Sequence, residues 1–113
     1  MTVTVYHNPK SKASCAVLKA LREQGHDPHV IDYMKDAPTR SDLIHLLNRT
    51  GMEPWDILRE KEARDMGIRK DMRDLTQLLS LMAQNPKLLD HPIVIAGNNG
   101  MVCRSPEMLG ELV

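Results

Sequence analysis

The chain has 113 residues, 42% hydrophobic and 27% charged, with 15 acidic and 15 basic side chains and a formal net charge of zero. This length suits one compact domain, and we predict a single domain over residues 1–113. The balanced charge and the 3% content of aromatic residues give no basis for expecting direct nucleic acid binding.

The beginning of the chain carries no targeting signal that we recognise. Residues 1–5 lack the basic and apolar regions of a signal peptide. No apolar run approaches the roughly 20 residues that a membrane-spanning helix needs. The two cysteines, Cys15 and Cys103, are too few for a disulfide scaffold. We therefore expect a reduced, cytoplasmic protein without membrane association.

The first third of the chain predicts a β–loop–α–β unit. A β-branched run from Thr2 to Tyr6 predicts a strand, and Asn8-Pro9 predicts the turn after it. Ser11 is a suitable N-cap for a helix that ends at Gly25. Residues 28–33 predict a second strand, parallel to the first because the crossover is long. The apolar residues of the helix are spaced as one buried face: Ala13, Val17, Leu18 and Leu21.

A helical insert, at about residues 38–88, is predicted between strands 2 and 3. Pro38 to Gly51 has the start signals and periodicity of a helix, and Pro54 opens a short one. The charged stretch from Glu60 to Asp71 predicts a solvated helix or loop. Asp74 to Gln84 has helical apolar spacing.

The last third predicts a β-hairpin followed by a helix. His91 to Ile95 predicts a strand, the four residues Gly97 to Gly100 a turn, and Met101 to Cys103 the returning strand. Ser105-Pro106-Glu107 predicts the start of the last helix. The predicted fold is therefore α/β, with a four-stranded mixed sheet and flanking helices.

The loop after the first strand, Tyr6-His7-Asn8-Pro9-Lys10-Ser11, has the features of an anion cradle. A strand that turns into a helix presents free backbone N–H groups at the positive end of the helix dipole. These groups attract an anion or stabilise a thiolate, and Lys10 and Lys12 add positive charge.

Several short blocks along the chain together carry a family resemblance. They are Val5-Tyr6-His7-Asn8-Pro9, Pro38-Thr39-Arg40, Leu58-Arg59, His91-Pro92-Ile93-Val94 and Cys103-Arg104-Ser105-Pro106-Glu107. Their order and spacing resemble the glutaredoxin-coupled arsenate reductase family over nearly the whole chain. This resemblance implies a thioredoxin-like fold with a helical insert.

The resemblance also implies a chemistry and a set of site residues. In that family a cysteine two residues after the loop proline attacks arsenate, glutathione and glutaredoxin resolve the adduct, and three arginines hold the oxyanion. Carried over to this chain, His7 is the loop histidine, Arg59 and Arg104 are the first and last arginines, and Pro92 is the cis-proline. Glutathione is the implied reductant, glutaredoxin the implied partner, and no tightly bound cofactor or metal is expected.

Two positions depart from the family pattern. Ser11 stands at the nucleophile position, and a serine hydroxyl cannot carry out thiol–disulfide exchange. His91 stands where the middle arginine is expected. It would replace an arginine only while protonated, so oxyanion binding would weaken as the pH rises through the pKa of His91.

Alternatives follow from the missing thiol. Cys15, one helical turn after Ser11, is either a displaced nucleophile or a small packed side chain, and Cys103 is interpreted as a core residue. The protein is then an arsenate reductase-like thiol oxidoreductase, or a non-catalytic relative that binds an anion or another protein. Related regulators that bind RNA polymerase use a Cys-x-x-Cys, which Ser11-Lys12-Ala13-Ser14 lacks. Ser11 is either natural, as the other departures nearby favour, or an engineered replacement of a cysteine.

Overall fold

The structure, a computed structural model, describes residues 2–69 and 74–113. Its strands are β1 (Val3–His7), β2 (His29–Asp32), β3 (Ile93–Ala96) and β4 (Asn99–Val102). Its α-helices are α1 (Lys12–Glu23), α2 (Arg40–Thr50), α3 (Glu60–Asp65) and α4 (Leu75–Gln84). Shorter 3₁₀ helices cover Pro54–Ile57, Pro86–Leu88 and Pro106–Glu111.

The four strands form one mixed sheet in the order β2-β1-β3-β4. β1 runs parallel to β2, whereas β3 is antiparallel to both β1 and β4. The predicted four-stranded mixed sheet, with helices inserted between strands 2 and 3, is therefore confirmed. The hairpin turn is tighter than predicted, because Ala96 pairs directly with Asn99 and leaves Gly97 and Asn98 between the strands. Gly97 adopts a φ of 61°, which such two-residue turns require.

Apolar side chains along β1 and β3 point alternately to the two faces of the sheet, so each face has a hydrophobic core. Val5 of β1 and Val94 of β3 face α1 and the C-terminal 3₁₀ helix, in a cluster with Val17, Leu21, Cys103 and Leu109. Tyr6 and Ile93, one position away on the same strands, face the insert and pack in the cluster that contains its apolar residues. Successive side chains of a strand point to opposite faces, so the two central strands supply both cores.

The insert begins with a well-capped helix. Thr39 accepts a hydrogen bond from the Asp42 N–H while the Asp42 carboxylate accepts one from the Thr39 N–H, which makes a capping box. Gly51 closes α2 with a φ of 72°. The elements of the insert run from Arg40 to Leu88, and their apolar residues pack on one face of the sheet.

Two local predictions need correction, and a third, the solvated helix or loop after Glu60, is confirmed as a helix over its first six residues. Ala13 is only half-buried, and the fully buried polar Ser14 takes a place on the inner face of α1. The last helix is a 3₁₀ helix, Pro106–Glu111. The charged stretch from Glu60 forms a helix up to Asp65, and its positions 70 and 71 lie outside the described residues.

Within residues 2–69 and 74–113, no helix has both the length and the apolar character needed to cross a membrane.

Candidate functional site

Ser11 acts as the N-cap of α1, as its sequence position predicted. Its Oγ accepts a hydrogen bond from the Ser14 N–H at 3.2 Å, and its own N–H donates to the Asn8 carbonyl at 3.0 Å. The loop therefore closes into a tight turn directly before the helix. The hydroxyl satisfies one of the free N–H groups of the first helical turn, which is an ordinary structural role for serine.

Behind this turn, a buried polar pair joins β1 to α1. Nδ1 of His7 lies 2.7 Å from Oγ of Ser14, and the same oxygen accepts a hydrogen bond from the Asn8 N–H at 3.0 Å. Burial lowers the pKa of His7; Asp32 acts in the opposite direction, while Arg22 and His91 lower it further. His7 is therefore held in its neutral form inside the loop.

Cys15 is exposed on the outside of α1. Its Sγ donates a hydrogen bond to the Pro9 carbonyl at 3.3 Å, so the thiol lies against the loop. It lines a shallow cleft of about 460 Å³ with His7 and Arg22. The alternative of a packed Cys15 is therefore wrong, because the helix turns this position outward and Ser14 inward.

Cys103, by contrast, is buried in the core beneath α1. Burial raises the pKa of its thiol to about 11, with a further contribution from the charge of Glu111. The interpretation of Cys103 as a core residue is confirmed.

A second cleft, of about 350 Å³, lies beside the cis-proline. The three residues implied as oxyanion ligands, Arg59, His91 and Arg104, all line it. Arg59 reaches this place because it caps α3 and its N–H donates to the Leu88 carbonyl at 2.7 Å. The other lining residues are Trp55, Asp56, Leu58, Glu60, Lys61 and Asp90. Among the described residues, Ser11 and Cys15 do not belong to this lining.

Asp90 organises the cleft through a buried carboxylate. One oxygen accepts a hydrogen bond from the His91 N–H at 2.9 Å, and the other accepts one from Nη2 of Arg104 at 2.5 Å. The Asp90 side chain is 10% exposed, whereas that of Arg104 is 71% exposed. Arg104 is thus anchored at one nitrogen and keeps further N–H donors for a ligand.

His91 sits between the two arginines, and its peptide bond to Pro92 is cis, as the resemblance implied. Nδ1 lies 2.7 Å from the hydroxyl of Tyr33. Burial lowers the pKa of His91, and the charge of Arg59 lowers it further; the Leu89 carbonyl and Asp90 act in the opposite direction. Without a bound oxyanion, the cleft thus favours neutral His91.

Tyr33 connects the loop to this cleft. Its side chain is fully buried, and its hydroxyl accepts a hydrogen bond from Nδ2 of Asn8 at 3.4 Å while it contacts His91. Sequence analysis missed Tyr33, Ser14 and Asp90. Their positions in the sequence could have indicated them. Tyr33 directly follows β2, the strand parallel to β1, and Asp90 directly precedes His91, the family's arginine position.

No group of three or more histidine, cysteine, aspartate or glutamate side chains comes together as a metal site within the part of the chain that the structure describes.

A mixed sheet in this order, with a helix starting at the loop after β1 and a cis-proline entering β3, defines an α/β protein of the thioredoxin-like class. The sequence model of the ArsC family matches residues 6–112. The chain belongs to the ArsC family.

Relatives of similar length support this assignment. The chain is 31% identical to the arsenate reductase of Rhizobium meliloti, over 100% of this chain and 82% of that protein. It is 32% identical to the uncharacterized protein YfgD of Escherichia coli, over 98% and 96% of the two chains. The structure of the arsenate reductase from Vibrio cholerae superposes with a TM-score of 0.84 at 31% identity, over 100% of this chain and 98% of that one.

Proposed function

We propose that this protein is an arsenate reductase-type thiol oxidoreductase whose substrate is arsenate or a similar tetrahedral oxyanion. The convergence of Arg59, His91 and Arg104 on one cleft carries this proposal. Relatives that match nearly the whole chain are named arsenate reductases, which supports arsenate as the first oxyanion to test.

Charge and geometry make the cleft suitable for a tetrahedral oxyanion. A guanidinium is a planar fork that donates two parallel hydrogen bonds to such oxygens. Lys61 adds a third positive charge to the lining beside Arg59 and Arg104. Three carboxylates in the same lining, those of Asp56, Glu60 and Asp90, balance this formal charge, and Asp90 pairs directly with Arg104. We therefore expect modest rather than very tight oxyanion binding.

The reduction requires a thiol, and Cys15 is the exposed one. Cys15 lines the cleft with His7 and Arg22 and not the arginine cleft, so the reaction requires the bound oxyanion to move to Cys15. In the proposed reaction its thiolate forms an S–As bond, and an arsenate oxygen leaves as water after protonation. The thiolate of glutathione then attacks Sγ of Cys15 and forms an S–S bond. The S–As bond breaks, arsenic keeps its electron pair and leaves as arsenite, As(III), and Cys15 is left in a mixed disulfide with glutathione. Glutaredoxin removes this glutathionyl group and restores the Cys15 thiol. This coupling requires a reducing compartment, so we place the reaction in the cytoplasm.

Binding is tested by titrating the protein with arsenate in a calorimeter, without reductant. Arg59→Ala and Arg104→Ala should each weaken binding by about ten- to a hundredfold, because each removes a charge-assisted hydrogen bond of about 1.5–3 kcal/mol. Arg40→Ala is the matched control, since Arg40 lies exposed at the start of α2. Equal affinity in all four proteins would show that the anion binds elsewhere.

Turnover is tested with arsenate, glutathione, glutaredoxin and NADPH. Cys15→Ser should abolish arsenate-dependent NADPH oxidation, whereas Cys103→Ala should retain it, because Cys103 is buried away from the cleft. Turnover that survives Cys15→Ser would exclude Cys15 as the nucleophile.

A second candidate function is a non-catalytic oxyanion-binding module. Two observations favour it. The hydroxyl of Ser11 is occupied as the N-cap of α1, and Cys15 does not line the arginine cleft. Arsenate binding that depends on Arg59 and Arg104, combined with no turnover, would support this function over the reductase.

A further inference from the structure

Tyr33 is the only residue that touches both the loop and the arginine cleft through a side-chain hydrogen bond in the described part of the chain. It directly follows β2, and its side chain is 1% exposed. A buried phenol must place its O–H proton on an acceptor, or it loses free energy. The direction of the hydrogen bonds of Tyr33 therefore shows which neighbouring atom accepts its proton.

The orientation of Asn8 is set by the loop itself. Oδ1 of Asn8 accepts a hydrogen bond from the Lys10 N–H at 3.0 Å, which turns the amide NH₂ group toward Tyr33. Asn8 thus donates to the phenol oxygen and cannot accept its proton. The remaining partner of the hydroxyl is Nδ1 of His91, at 2.7 Å. A ring nitrogen that accepts a hydrogen bond carries no proton.

We propose that Tyr33 is a positioning residue for oxyanion binding: held by Asn8, its hydroxyl donates to Nδ1 of His91 and fixes the His91 proton on Nε2. The middle position of the cleft then offers one neutral N–H donor between two arginines. The part of this inference that concerns oxyanion binding rests on the proposed function.

The charges around His91 agree with this assignment. Arg59 and Arg104 share the cleft lining with it, and the charge of Arg59 disfavours a further positive charge on His91. The Leu89 carbonyl and Asp90 act in the opposite direction, but the Asp90 carboxylate already pairs with Arg104. Lys61, Glu60 and Asp56 complete the charged groups of the lining.

A neutral His91 changes the expected pH dependence of binding. If His91 bound oxyanions only as a cation, affinity would fall by up to about tenfold per pH unit above its pKa. With Tyr33 holding the neutral tautomer, the affinity for sulfate, whose charge is constant there, should stay flat between about pH 6.5 and pH 8. Removing the phenol hydroxyl frees Nδ1 for protonation, so the affinity should then become pH-dependent.

The test combines NMR of the histidine ring nitrogens with sulfate titrations in the wild-type protein, Tyr33→Phe and Tyr6→Phe. We expect the wild-type spectrum to show a bare, hydrogen-bonded Nδ1 and a protonated Nε2 for His91, with its signals assigned by their loss in His91→Gln. Tyr33→Phe should raise the pKa of His91 and make sulfate affinity decline with rising pH. Tyr6 is a buried tyrosine in the neighbouring strand without a hydrogen bond to His91, so Tyr6→Phe should match the wild type.

Protonated Nδ1 in the wild-type protein would overturn the proposal, and this measurement does not depend on the folding of any variant. An unchanged tautomer and titration of His91 in a folded Tyr33→Phe would also overturn it. If sulfate and arsenate both fail to bind while the predicted tautomer is observed, the oxyanion function is wrong and the hydrogen-bond assignment stands.

Discussion

Oγ of Ser14 lies 2.7 Å from Nδ1 of His7, and this buried contact joins the end of β1 to the first turn of α1. The same oxygen accepts the Asn8 N–H, so one hydroxyl satisfies both a side-chain and a backbone partner at the start of the loop. The shape of the loop depends on this hydroxyl, because the two groups it contacts lose a hydrogen-bond partner when it is removed.

Ser14→Ala should therefore destabilise the protein by about 1–3 kcal/mol, since it leaves buried polar partners unsatisfied. Urea unfolding followed by circular dichroism measures this difference. Ser41→Ala is the control, because Ser41 is exposed on α2 and its removal should change the free energy of unfolding by less than about 0.5 kcal/mol. Equal unfolding midpoints for the two variants would contradict the structural role of Ser14.

Stability should fall in mild acid. Burial holds the pKa of His7 below its ordinary value of 6.5 in the folded protein, so the unfolded chain takes up the proton first as the pH falls. The contribution of His7 to the free energy of unfolding should therefore be complete above about pH 6.5. It should decrease as the pH falls from there toward the pKa of His7 in the folded protein. His91 adds to the effect in the same direction, since its pKa is also lowered.

Urea titrations at several pH values measure this slope. His7→Asn should flatten it, whereas His45→Asn should leave it unchanged, because His45 is exposed on α2. A slope that is identical in His7→Asn and the wild-type protein would assign the acid sensitivity to other groups.

The two thiols should differ strongly in reactivity. Iodoacetamide should modify Cys15 in the folded protein, because Cys15 is exposed, and spare Cys103, whose thiol is buried with a pKa of about 11. Mass spectrometry of tryptic peptides measures both sites. After denaturation, both should react at similar rates. Rapid modification of Cys103 in the native protein would mean that its packing beneath α1 opens readily.

Ser11→Cys should create or strongly increase arsenate reduction. The new thiol would lie at the N-terminus of α1, where backbone N–H groups and the helix dipole stabilise a thiolate. We expect at least about a tenfold gain in arsenate-dependent NADPH oxidation, at a loss of about 1 kcal/mol of stability from the weaker cap. Ser11→Ala supplies the control, since it loses the same cap without gaining a thiol. A folded Ser11→Cys without any gain would show that more than the nucleophile differs in this site.

Periodicity and turn chemistry accounted for most of the secondary structure. The alternation in β1 and β3 and the apolar face of α1 are local patterns that a sequence displays directly. The wrong prediction for α1 concerns a place where a shift of one residue changes which side chain is buried. Ala13 and Ser14 are neighbours, and a one-residue rotation of α1 decides which is buried; the partner that keeps Ser14 inside, His7, comes from another element.

The amino-acid sequence alone determined the α/β class, the strand order of the β–α–β unit and the absence of a thiol at position 11, because each depends on residue type and local spacing. Only the tertiary structure decided that Arg59, His91 and Arg104 share one cleft, and that Asp90 and Tyr33 hold two of them. These residues are far apart in the chain, and side-chain contacts across such separations follow from packing that no local pattern encodes. The same packing lowers the pKa of His91, since burial and the charge of Arg59 act on it only once the chain has folded.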